Sequence, residues 1–81
     1  VRYAGDKTFY VDSDGYWVDS SFADSKLEPI EIKYLSDDYY KLIADEPDIA
    51  QYLGVAEKVV VVWKDKAYKI VPNPDDNATN P

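Results

Sequence analysis

The residues in this chain that could do chemistry are acids and aromatics. Histidine and cysteine are both absent. That removes the commonest neutral-pH general base, the commonest metal ligand and any thiol or disulfide. Sixteen acids remain. The tightest group is Asp12-Ser13-Asp14-Gly15. Closely spaced carboxylates beside a glycine can hold calcium, but the EF-hand spacing fails here. Its first ligand would fall on Tyr10 and its last bidentate acid on Ser21. The same four residues suit a hairpin loop, since Asp and Ser bond their own backbone and Gly supplies positive φ. The loop is the leading reading, with Asp12 and Asp14 as the candidate metal site.

Two acids facing one cleft could also hydrolyse a glycoside. The adjacent pair Asp37-Asp38 is better explained by the positive end of a helix dipole. A small acid-dependent hydrolase is therefore the last of three readings, and no cofactor is implied.

Two Trp, eight Tyr and two Phe make the aromatic share 15%. Rings bury large areas, so a short chain can build a core from few of them, while tyrosine keeps a hydroxyl that prefers the rim. Tyr10, Tyr16, Trp17, Tyr39, Tyr40 and Trp63 could stack on a sugar or a protein partner. The binding candidates are Tyr16, Trp17, Tyr39 and Tyr40. Tyr16 and Trp17 are neighbours on one strand, so they must point to opposite faces.

The net charge of −7 repels nucleic-acid backbones and anionic membranes. No apolar run approaches the ~18 residues that span a bilayer. Neither nucleic-acid binding nor membrane insertion is expected. The chain starts at Val1 and has no methionine, which reads as a piece of a longer protein. Asn77-Ala78-Thr79 matches a glycosylation acceptor, a pattern common by chance.

These residues need elements to position them. Val59-Val60-Val61-Val62-Trp63 is the longest unbroken apolar run and reads as a strand buried on both faces. Lys64-Asp65-Lys66 is then a tight turn and residues 67–71 the return strand. At the other end, Val1–Ala4, Thr8–Val11 and residues 16–20 read as short strands around the Gly5-Asp6-Lys7 turn and the Asp12–Gly15 loop. Residues 21–29 form a polar connection anchored by Phe22 and Leu27. Residues 29–34 alternate, with Ile30, Ile32 and Tyr34 on the core side.

At Ser36 the period changes to a helix. Ser36 is its N-cap and Tyr39, Leu42 and Ile43 its apolar stripe. Pro47 starts a second short helix, which Gly54 ends in a left-handed cap. The expected fold is α+β. A twisted antiparallel sheet of five or six strands, open or curled into a half-barrel, carries the two helices on one face before the last hairpin. Residues 1–71 form one domain and residues 72–81 a disordered tail or linker. Lys7, Lys33 and Lys69 would guard the sheet edges, through which the chain could also weakly self-associate.

Two stretches, taken together, resemble a known family. One runs from Val1-Arg2 through Gly5-Asp6-Lys7-Thr8-Phe9-Tyr10 to Gly15-Tyr16-Trp17-Val18-Asp19-Ser20. The other holds Ser36–Ile43, Glu46-Pro47, Tyr52-Leu53-Gly54, Val59–Val62 and Lys66–Ile70. They resemble the C-terminal segment of bacterial proteins related to the inter-alpha-trypsin inhibitor heavy chain, which carry a vault/inter-alpha-trypsin (VIT) domain and a von Willebrand factor type A domain. The resemblance implies an accessory domain in an exported or envelope-associated protein. That family's adhesion metal site, an Asp-x-Ser-x-Ser loop of the type A domain, has no counterpart here. The leading functional expectation is a non-catalytic module that docks on a neighbouring domain or partner protein. A carbohydrate-binding domain using exposed Tyr and Trp faces is the alternative.

Overall fold

The computed structural model describes residues 1–74. The first strands are β1, Arg2–Ala4, β2, Lys7–Val11, and β3, Trp17–Asp19. Then follow a one-turn helix α1, Phe22–Ser25, and strand β4, Pro29–Lys33. Helix α2 spans Asp37–Asp45, and a 3-10 turn at Pro47–Ile49 runs into α3, Ala50–Leu53. The hairpin of β5, Val59–Trp63, and β6, Lys66–Val71, closes the domain.

The class is α+β, with one six-stranded sheet in the order β1-β2-β3-β5-β6-β4. The sheet is open rather than closed into a barrel, and β1 and β4 are its edges. It is also mixed, whereas antiparallel pairing was expected throughout. β3 pairs with β5 in parallel, and β4 with β6 in parallel. The reason lies in the connections. Tight turns force antiparallel neighbours, as in β1–β2, β2–β3 and β5–β6. The two longer connections carry helices, cross other strands and free the chain to lie in either direction.

The valine strand is sealed as its composition predicts. Val59 and Val61 lie in one core with Phe9, Ile32, Ile70 and the helix residues Tyr39, Leu42, Ile49, Tyr52 and Leu53. Alternation sends Val60 and Ala67 to the other side, and both are buried there as well. The longer helices occupy the first face, so the crossover that places α1 against β5 covers the second.

Local departures each have a physical cause. The tight turn is only Lys64-Asp65, at φ +47° and +69°, while Lys66 already pairs with Trp63. Positive φ at both central residues is what a type I′ hairpin turn requires. Likewise the first turn is Gly5-Asp6, because Lys7 pairs with Ala4. Gly54 is right-handed, at φ −76°, so the left-handed cap expected there does not form. Residues 22–25 coil into α1, whose left-handed cap is Lys26. Ile30 shares a face with Ile32 but is 44% exposed, since it begins an edge strand beyond the helical cover. Lys7 and Lys69 lie on interior strands, so Lys33 alone of the three stands on an edge. Asn73 Nδ2 donates to the Tyr34 carbonyl at 3.0 Å. Beyond residue 74, the expected tail and the Asn77-Ala78-Thr79 triplet lie outside the described residues.

Candidate functional site

The Asp12–Gly15 group is a loop joining β2 to β3. Asp12 Oδ1 accepts the backbone N–H groups of Asp14 and Tyr16, each at 2.9 Å. Gly15 sits at φ +86°, and the Lys58 ammonium donates to the Asp14 carbonyl. The loop is thus closed by its own aspartate and by a cation. Among the described residues, no three acids gather closely enough to hold a metal ion.

The four aromatic candidates occupy two places. Tyr16 is half-buried, with the ammoniums of Lys58 and Lys69 at 4.7 and 4.8 Å from its ring centre. Trp17 takes the guanidinium of Arg2 at 4.1 Å and packs against the core on the opposite face. Tyr39 is buried under α2, edge-on to Tyr34 and to the exposed Tyr40. Burial, aided by Tyr34 and Tyr40, pushes the Tyr39 phenol above its ordinary range, so it keeps its proton. No ring contact joins the Tyr16–Trp17 pair to the Tyr39–Tyr40 pair among the described residues.

The concave site lies elsewhere. A cleft of about 450 Å³ opens where the β1–β2 turn, the end of β3, α3 and the β5–β6 turn converge. Its centre is Asp19, 2% exposed. β3 stops at Asp19 while β5 runs on to Trp63, so the Val62 N–H has no strand partner on that side. Asp19 Oδ2 accepts it at 3.0 Å and the Lys7 ammonium at 2.9 Å. Oδ1 accepts the Ser21 N–H and hydroxyl at 2.9 and 2.8 Å. Both oxygens are therefore filled. Burial pushes this carboxyl up, but Lys7 and the bonds from Ser21 and Val62 outweigh it, leaving it below its ordinary value.

Two further networks rim the cleft. The Tyr52 hydroxyl donates to Asp6 Oδ1 at 3.0 Å. Burial and that bond raise the Tyr52 phenol. Opposite, Glu46 Oε1 accepts the Trp63 indole N–H at 2.9 Å and the Lys64 ammonium at 2.8 Å, and both hold it ionised below its usual range. Hydrolysis by paired acids needs one carboxyl raised. Asp6 and Asp19 do line one cleft, but Asp19 is driven the other way.

Two exposed tyrosines of the first hairpin mark a third surface. Tyr3 is 78% exposed and Tyr10 is 52% exposed. Tyr3 pairs with Thr8 and Tyr10 with Val18, so alternation puts all four on the face opposite Phe9. Extending the register sets exposed Val1 beside Tyr10. Among the described residues, Tyr3, Tyr10 and Val1 on this wing stay exposed.

Tyr3 was not singled out from sequence, nor was Asp19. Alternation carried the signal for both. Tyr3 falls opposite Phe9 once the first hairpin is paired, and Asp19 shares the inward face of Trp17. No described helix is long and apolar enough to cross a membrane. No family model, curated protein or solved structure matches the chain.

Proposed function

We propose that this domain is a non-catalytic docking module of a larger exported or envelope-associated bacterial protein. It binds a neighbouring protein domain through the uncovered wing of β1–β3. The observation that carries this reading is the pair Tyr3 and Tyr10, exposed on a sheet face whose other half is sealed. Tyrosines supply large contact area at low entropic cost and dominate interface energetics. A flat apolar face on a chain of charge −7 favours a protein partner over a phosphate surface. The saturated oxygens of Asp19 and the absence of histidine and cysteine support a binding role over bond-breaking. The resemblance to accessory segments of VIT and type A domain proteins supports the setting.

The test uses the adjoining region of the gene product as partner in trans, followed by calorimetry. Tyr3→Ser with Tyr10→Ser should weaken binding at least tenfold, about 1.4 kcal/mol, while Tyr40→Ser leaves it unchanged. Equal affinity for the double variant and the parent chain would remove the reading.

A further inference from the structure

We propose that the Asp19 cleft is a binding site for a neutral pyranose, one ring of a glycan, seated against Trp63. The cleft is distinct from the tyrosine wing, which faces the other side of the sheet. Its volume of about 450 Å³ lies within the range of small-ligand sites.

The class of ligand follows from its charges. Lys7 is paired with Asp19 at 2.9 Å and Lys64 with Glu46 at 2.8 Å. Each ammonium is thus neutralised by its own carboxylate. An anion would have to displace Asp19 or Glu46, and a cation would meet Lys7 and Lys64. What remains is hydrogen-bonding capacity around two closed ion pairs, together with the Asp6 carboxylate, which is held by the Tyr52 hydroxyl rather than by an ammonium and adds a further bar to an anion. Each ammonium has three donors and spends one on its ion pair. Asp6 keeps an oxygen beyond the one that Tyr52 occupies.

These groups surround an aromatic surface. Trp63 is half-buried, packed at 5.8 Å against Tyr52 and pinned by Glu46 through its indole N–H, so its orientation is set before any ligand arrives. Lys64 lies 5.5 Å from the Trp63 ring but its side chain is 69% exposed, so it moves aside at little cost. A fixed ring on the same lining as the Lys7 and Lys64 donors and the Asp6 acceptor matches a molecule with one apolar face and a rim of hydroxyls.

The experiment is an amide and indole NMR titration of the full chain with methyl glycosides of glucose, galactose, mannose and N-acetylglucosamine and their disaccharides. Methyl glucuronide and glucosamine serve as the charged arms. At least one neutral glycoside should shift the Trp63 indole and the Ser20, Ser21 and Val62 amides saturably, and more tightly than its charged analogues. Trp63→Leu should weaken that binding at least tenfold. Should that variant not fold, Lys64→Gln, an exposed change, should weaken it severalfold while the amide spectrum stays that of the folded chain. No saturable shift at Trp63 with any neutral probe, tighter binding of a charged arm, or shifts confined to Tyr3 and Tyr10 would each overturn the proposal. Such a failure leaves the docking reading standing, because that reading rests on different residues.

Discussion

Asp19 is the most demanding residue in the chain. A carboxylate at 2% exposure is stable only when fully bonded, and here four donors complete it. It links three parts of the fold: β2 through Lys7, the crossover through Ser21, and β5 through Val62. Asp19→Asn keeps the shape but strands the Lys7 charge, so unfolding by urea at pH 7 should show a loss of about 3 kcal/mol. The pH dependence has a defined sign. The folded carboxyl titrates below the ordinary 3.8, so its stabilisation is present above that value and lost as pH falls through the lower, folded one. Glu46 acts in the same direction. The parent chain should therefore lose stability on acidification, and Asp19→Asn should show a shallower acid limb in the same titration.

Two glycines give a matched test of backbone strain. Gly5 sits at φ +57°, where a Cβ would also meet Gln51 Oε1 at 2.8 Å. Gly54 sits at φ −76°, and an added Cβ would find its nearest neighbour at 3.5 Å. Thermal melts should show Gly5→Ala losing about 1–2 kcal/mol and Gly54→Ala gaining about 0.5 kcal/mol through the unfolded chain.

Among the elements, those with strong periodicity were legible. The valine run, its hairpin partner and the Ser36 cap follow from residue type alone. The Ser36 hydroxyl indeed accepts the Tyr39 N–H at 3.3 Å. Chain direction across the sheet was not legible, because period-2 alternation is the same for parallel and antiparallel neighbours. Nor was α1, whose four residues carry too little pattern to outvote a polar composition. Gly54 misled because glycine permits a left-handed cap without requiring one. The Lys64-Asp65 turn shows the reverse. Positive φ is imposed on Lys64, which tolerates it poorly, and on Asp65, which tolerates it less well than glycine, because the strands on either side fix the loop at two residues. Asp65→Gly relieves that and keeps the Lys64–Glu46 pair, so it should raise stability by about 0.5–1 kcal/mol in chemical denaturation.

At the scale of the whole molecule, the sheet is unevenly clothed. The β5–β6 half is covered on both sides, while the β1–β2 wing is covered on one. The composition announced an aromatic excess but not which rings would be spared. Tyr16, Trp17 and Tyr39 went into packing, and of the four binding candidates only Tyr40 is largely exposed. The exposed pair Tyr3 and Tyr10 emerged only when the first hairpin was paired. The edge strand β4 carries Pro29, Glu31 and Lys33, residues that discourage strand addition. Contact through the flat wing is thus a better route to a partner than pairing at that edge.

The most direct measurement is tyrosine nitration read residue by residue by mass spectrometry, on this domain alone and within its full gene product. Tyr3 and Tyr10 should react readily in the domain alone and be protected in the full product, with Tyr40 equally reactive in both. Equal reactivity of Tyr3 and Tyr10 in the two settings would contradict the docking account.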